Sequence, residues 1–144
     1  MPLPDTNLWL ALSKHTHHAA AADWLDAENK PDRILFCCST QQSLLRLLIT
    51  VGVMSLYGIA SLSNNGAWAV YEAFIADDRI VFQPEPPGVG TIWKKFTARR
   101  TSSPKLWMDA YLAAFAMASG AQLVTTDKSF SQFPGLDGLV IQPA

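Results

Sequence analysis

Short apolar stretches of β-strand length alternate with helical patterns along this chain, and this alternation restricts the folds open to it. Strands are predicted at residues 33–38 (RILFCC), 79–82 (RIVF) and 121–126 (AQLVTT), because buried strands are short apolar runs. Between the first and second of them, apolar side chains lie on one face of a predicted helix. Alternating β and α elements predict an α/β layered fold with a mainly parallel sheet.

Proline and hydroxyl side chains mark the boundaries of the early elements. A first strand is predicted over residues 2–6, and Pro4 within it predicts that the strand is short or irregular, because proline removes a ladder hydrogen bond. Ser39 or Thr40 is expected to cap the helix that follows the second strand.

A later helix has a strong predicted start and carries an acid. Ser103 as the N-cap and Pro104 at the first helical position predict its start, and Gly120 predicts its end. Asp109 then lies about a turn and a half inside this helix. Because the helix dipole favours acids in the first turn, capping does not explain Asp109 well.

Composition bounds the size and the partners of the chain. Its 144 residues, 49% of them hydrophobic, predict a single domain over residues 1–144. A formal net charge of -1 argues against a general nucleic-acid coat, although it permits a local basic patch. Cys37 and Cys38 lie in an apolar run and are expected to be buried thiols. With neither a secretory leader nor a clean membrane-length run recognisable, we expect a cytoplasmic protein without membrane contact.

Three carboxylates interrupt apolar sequence, in LPDTNLWLAL, LWMDAYLAAFA and LVTTDKSF. Asp5 lies at the end of the first predicted strand and Asp127 directly follows a later one, and ligands in parallel sheets collect at the carboxyl ends of strands. Close-set buried carboxylates repel one another, so a site that contains several usually holds a cation. Oxygen-only ligation suits Mg²⁺ or Mn²⁺. Together with Asp109, these residues predict a metal site suited to phosphodiester chemistry.

Each acid also has a structural interpretation. Asp5 is equally well placed as a turn or N-cap residue before TNLWLAL, and Asp127 as a turn former in TDKSF. Asp109 could pair with Lys105, four residues earlier in the helix.

Packing explains the dispersed tryptophans better than a platform for stacking bases; these are Trp9, Trp24, Trp68, Trp93 and Trp107.

These segments, in this order, resemble the PIN-domain ribonucleases and, among them, the VapC-type toxins of bacterial toxin–antitoxin pairs. The resemblance begins at PDTNLWLAL, continues through STQQSLLRLL and SPKLWMDAYLAAFA, and ends at LVTTDKSF. It implies a three-layer α/β/α domain with Mg²⁺- or Mn²⁺-dependent endoribonuclease activity that leaves a 5′-phosphate and a 3′-hydroxyl. It also implies homodimers and an antitoxin that inserts into the active-site groove.

The resemblance assigns the catalytic and metal-binding roles to Asp5, Asp109 and Asp127, and supporting roles to Asn7 and Thr126. The second acidic position departs from the family, which usually has a glutamate three residues before an arginine. Counting back from Arg46 gives Ser43, and Gln41 and Gln42 beside it are also neutral. Gln42 or Ser43 could orient a water molecule, although neither is a base at neutral pH. The loss of this acid favours one metal ion over two.

A local basic cluster is the candidate surface for RNA, with a solvated helix face as the structural alternative. It comprises Lys94, Lys95, Arg99, Arg100 and Lys105.

Two other functional classes compete with the nuclease. The neutral second position favours a PIN-like module that binds RNA or protein without cutting. A phosphohydrolase would need a second aspartate two residues after Asp5, where this chain has Asn7.

Overall fold

The computed structural model describes residues 1–13, 19–28 and 33–142. Within these ranges strands and helices alternate largely as the sequence predicts. The elements in chain order are β1 (Pro2–Pro4), α1 (Thr6–Ser13), α2 (Ala19–Ala27), β2 (Ile34–Phe36), α3 (Cys38–Leu48), α4 (Val51–Ser55), α5 (Asn64–Ile75), β3 (Ile80–Phe82), α6 (Val89–Thr97), α7 (Leu106–Ser119), β4 (Gln122–Thr125), a 3₁₀ helix (Lys128–Gln132) and β5 (Gly138–Val140).

The strands form parallel ladders in two hydrogen-bonded groups. β4 pairs with β1 on one side and with β5 on the other, and β2 pairs with β3. β1 and β2 lie next to each other, which gives the spatial order β3-β2-β1-β4-β5. The predicted parallel sheet is therefore confirmed, with a break in its hydrogen bonding between β1 and β2.

Two prolines in β1 account for this break. The amide of Asp5 donates to the carbonyl oxygen of Val124 at 2.9 Å, so odd-numbered residues of this segment direct their N–H groups toward β4. Successive residues of a strand alternate in direction, which leaves Pro2 and Pro4 at the positions that face β2. Proline has no N–H to donate. The expectation that Pro4 shortens the first strand is confirmed, because β1 has three residues.

Helices cover both faces of the sheet. Leu3 and Leu123 point into one group of buried residues, where they meet Phe115 of α7. Phe36 and Val124 point to the opposite face, into a second group that includes side chains of α1, α3 and α5. This alternation of inward-facing residues yields three layers, α/β/α, as the sequence and the resemblance predict.

The second strand leads into α3 through a cap that the sequence did not predict. The N-cap is Cys37, not Ser39 or Thr40. The Thr40 hydroxyl instead accepts a hydrogen bond from the Cys37 amide at 3.0 Å, at the third helical position. The expectation of two buried thiols is half wrong, because Cys37 is buried and Cys38 is exposed.

α7 also begins later than predicted. Its first residue is Leu106 and its N-cap is Lys105, so Ser103 and Pro104 precede the helix. Gly120 ends the helix in the left-handed conformation, at φ 65°, as expected. No helix among the described residues has the length and apolar character needed to cross a membrane.

Candidate functional site

A cleft of about 200 Å³ opens at the carboxyl ends of β1 and β4, between the starts of α1, α3 and α7. All three predicted acids line it. They share the cleft with polar and cationic side chains from these elements, among them Asn7, Ser43, Arg46 and Lys105.

Asp5 follows β1 and is 3% exposed. One carboxylate oxygen, Oδ1, accepts the Leu8 amide at 2.9 Å and so caps α1. The other, Oδ2, accepts the Thr125 hydroxyl at 2.5 Å. Burial raises the pKa of Asp5 from 3.8 to about 6, against these two hydrogen bonds and with help from the carboxylates of Asp127 and Asp109. The capping interpretation of Asp5 therefore holds alongside its place in the cleft.

Thr125 connects two of the acids. Its side chain is fully buried at the end of β4. Besides donating to Asp5, its oxygen accepts the amide of Asp127 at 2.9 Å. We expected the orienting hydroxyl at Thr126. The hydroxyl that bonds to Asp5 is one residue earlier, because Asp5 and Thr125 come two residues after the paired Leu3 and Leu123 and so lie on the same face of the sheet.

Asp127 is the N-cap of the 3₁₀ helix, where its Oδ1 accepts a hydrogen bond from the amide of Ser129 at 2.9 Å. Its Oδ2 lies 3.4 Å from the ammonium of Lys105. The Ser129 amide, with the nearby Lys105, holds the pKa of Asp127 below its usual value despite partial burial. Asp127 is therefore both the turn former that we considered and an ionised member of the cleft.

Asp109 lies in the first turn of α7, not a turn and a half inside it, because the helix begins at Leu106. The positive end of the helix dipole therefore favours its ionised form. Burial nevertheless raises the pKa of Asp109, and the carboxylate of Asp127 adds to this, while Lys105 opposes it. The predicted pairing partner of Asp109, Lys105, forms its ion pair with Asp127 instead.

The position of the missing acid falls inside the cleft. Ser43 and Arg46 project from α3 into it, as residues three apart on a helix do. Sequence reasoning used Arg46 only as a reference point and missed it as a cleft residue. Gln42 is exposed, donates to the Cys38 sulfur at 3.0 Å and is not among the residues that line the cleft.

The donor set fits a hard divalent cation in its chemistry, because three carboxylates and neutral oxygens converge on one cleft. Burial and mutual repulsion already raise the pKa values of two of these acids, and a cation would relieve both effects. In residues 1–13, 19–28 and 33–142, however, no three His, Cys, Asp or Glu side chains stand close enough to hold an ion together. Lys105 partly neutralises Asp127 here.

The predicted basic cluster divides between two places. Lys105 lines the acidic cleft. The other four cations are exposed on α6 and on the segment after it, where Arg99 and Arg100 border a separate depression beside Trp107.

Comparisons with known proteins agree with this fold. The sequence profile of the PIN domain matches residues 3–136. The ribonuclease VapC41 of Mycobacterium tuberculosis is 53% identical over 140 residues, which cover 95% of this chain and 96% of the relative. Among solved structures, the VapBC2 complex of Rickettsia felis bound to a promoter DNA fragment superposes with a TM-score of 0.70 at 16% identity, covering 98% of each chain. Mycobacterium tuberculosis VapC20, a toxin that cleaves the sarcin-ricin loop, gives 0.64 at 18% identity, covering 99% of this chain and 100% of that one.

The chain therefore belongs to the PIN-domain family and, within it, to the VapC ribonucleases. This confirms the resemblance stated from the sequence.

Proposed function

We propose that this protein is a Mg²⁺- or Mn²⁺-dependent endoribonuclease and the toxin of a toxin–antitoxin pair, acting in the cytoplasm. The observation that carries the proposal is the meeting of Asp5, Asp109 and Asp127 in one cleft at the carboxyl edge of a parallel sheet. The identity with a relative named as a ribonuclease supports the same conclusion.

Asp5 and Asp109 would bind the ion directly, and Asp127 directly or through water. Bound there, such a cation would supply an activated water nucleophile and neutralise charge on the scissile phosphate. We propose one ion, because Ser43 supplies no charge at the second acidic position.

The chain's own residues bind and orient the reactants around these acids. Thr125 and the Leu8 amide hold the two oxygens of Asp5 in place. Asn7 and Ser43 offer neutral oxygens toward the same space and could orient a water molecule. The Lys105 ammonium, now beside Asp127, is placed to contact a phosphate of bound RNA.

Cleavage of an RNA panel in Mg²⁺, Mn²⁺ or EDTA tests this proposal. We expect Asp5→Asn and Asp109→Asn to lose at least about 100-fold in cleavage rate, because even residues that only support metal ligands affect activity by 10–100-fold. Asp23→Asn is a matched control, since Asp23 is exposed on α2 and outside the cleft. Cleavage that persists in EDTA, or in both cleft variants, would rule out the mechanism.

A binding module remains the second candidate, favoured by the neutral Ser43 in the cleft. It would bind RNA and metal in the same experiment without cutting any substrate.

We also propose a cognate antitoxin as partner, in line with the VapBC neighbours. Co-expression with a small gene immediately upstream should suppress cleavage, and undiminished cleavage would contradict the pairing. Homodimerisation stays a prediction.

A further inference from the structure

Trp107 differs from the tryptophan of the core. Trp9 is completely buried, whereas Trp107 is 53% exposed in the first turn of α7. Its carbonyl oxygen accepts the indole N–H of Trp93 at 2.9 Å. The two rings meet edge to face, at 5.9 Å between centroids and 77° between planes. Trp93 therefore steadies the site of Trp107 while leaving much of its ring open, so Trp107 is not a residue of the core.

The exposed ring borders a depression of about 450 Å³, a volume within the usual range for ligand pockets. Its other walls carry two guanidinium groups and several hydroxyls, from Arg99, Arg100, Thr101, Ser102 and Ser103.

The charge of this region is strongly one-sided. Residues 86–108 contain five cations and no acid, although the whole chain has a net charge of -1. A cationic depression with an open aromatic ring matches a single-stranded nucleic acid, whose phosphates pair with arginine and whose bases stack on aromatic rings.

This depression continues into the acidic cleft. A small hollow of about 90 Å³ lies between them. It shares Ser103 and Leu106 with the Trp107 depression, and Lys105 and Asp109 with the acidic cleft. A strand that enters the cleft therefore has a continuous surface leading past Lys105 to Trp107.

We propose that the depression lined by Trp107, Arg99 and Arg100 is a subsite for single-stranded RNA flanking the cleavage point, where Trp107 stacks on a base and the arginines contact phosphates. This inference rests on the proposed function, because it takes the acidic cleft as the place where RNA is cut. It identifies residues outside the acidic cleft that determine how RNA is held.

Binding of a fluorescently labelled single-stranded RNA, measured by anisotropy in the Asp5→Asn background to prevent cleavage, tests the subsite. We expect Trp107→Ala to weaken binding about 5- to 150-fold, the range for removal of one stacked base, and Trp107→Phe to retain most of the affinity. Phe82→Ala is the matched control, because Phe82 is an aromatic side chain 43% exposed at the end of β3 and lines neither the acidic cleft nor this depression. It should bind as the parent does.

Salt dependence separates the stacking and ionic contributions. Changing Arg99 and Arg100 to glutamine should make the fall of the logarithm of the RNA association constant with the logarithm of salt concentration less steep by about 1.4. Each phosphate of a single strand that is neutralised contributes about 0.7 to the steepness of this slope. Trp107→Ala should leave the slope unchanged. Thermal melting checks that each variant is folded. We expect all of them to fold, because the replaced side chains are exposed.

Unchanged RNA affinity in folded Trp107→Ala, or an equal weakening in Phe82→Ala, would overturn the subsite. If the wild-type chain then still cleaves RNA with Mg²⁺, only the subsite fails and the proposed function stands. If the wild-type chain cleaves nothing, yet Trp107→Ala weakens RNA binding as expected, Trp107 still contacts RNA, but the nuclease assignment fails and the site no longer flanks a cleavage point.

Discussion

The ionised form of Asp5 should destabilise the fold. Its pKa rises from 3.8 to about 6 on folding, chiefly through burial. The folded chain thus binds the proton of the Asp5 carboxyl more tightly than the unfolded chain does. The contribution of this proton to the free energy of unfolding is therefore fully present below about pH 4 and is lost as pH rises through 6. At 1.36 kcal/mol per pKa unit, the difference corresponds to about 3 kcal/mol at neutral pH.

Replacing Asp5 with asparagine removes the charge and keeps an oxygen for the Leu8 amide. Relative to the wild type, Asp5→Asn should gain up to about 3 kcal/mol in free energy of unfolding between pH 4 and pH 7. Urea denaturation in EDTA, followed by tryptophan fluorescence across this range, measures the gain. Any destabilisation from the changed bond to Thr125 is independent of pH and cancels in the comparison.

Asp127→Asn provides a control of opposite sign. Hydrogen bonding from the Ser129 amide, together with Lys105, lowers the pKa of Asp127, so its carboxylate stabilises the fold above the unfolded pKa and this contribution is lost as pH falls. Asp127→Asn should therefore become less stable than the wild type as pH rises to neutral. A gain in Asp5→Asn that does not vary with pH, or the same pH trend in both variants, would refute the electrostatic reasoning.

Three further predictions concern neighbours of the acids. Thr125→Val should raise the pKa of Asp5, because it removes the hydrogen bond that lowers this pKa. The acidic limb of the plot of cleavage rate against pH should therefore move to higher pH, whereas Thr126→Val should leave it in place. Ser43→Glu should tighten Mn²⁺ binding at least about fivefold by calorimetry, since it adds a charge to the cleft. Lys105→Met should also tighten Mn²⁺ binding, by freeing the carboxylate beside it, yet weaken RNA binding; unchanged metal affinity would contradict the role of this ion pair.

The sheet and the meeting of the acids could be predicted because both follow from periodicity. Apolar strands too short to be helices, separated by helical patterns, leave few arrangements besides a parallel sheet. Asp5 and Asp127 come at the ends of two such strands, and parallel strands direct their carboxyl ends to one edge. Pro4 predicted the loss of a ladder hydrogen bond in β1. Only the structure shows that Pro2 acts together with it and that both prolines face β2.

Details of a single residue were less predictable, because they depend on tertiary contacts. Cys37 caps α3 although cysteine is a poor capping residue, since the strand before it fixes where the helix can begin. The choice between Thr125 and Thr126 depends on which of them the strand turns toward Asp5.

Crystals soaked with Mn²⁺ and measured by anomalous diffraction test the central claim most directly. The three carboxylates share one cleft, so we predict one anomalous peak in contact with Asp5 and Asp109, with Asp127 turned toward it and away from Lys105. An ion bound elsewhere, or a cleft that stays without manganese at saturating concentration, would contradict the account.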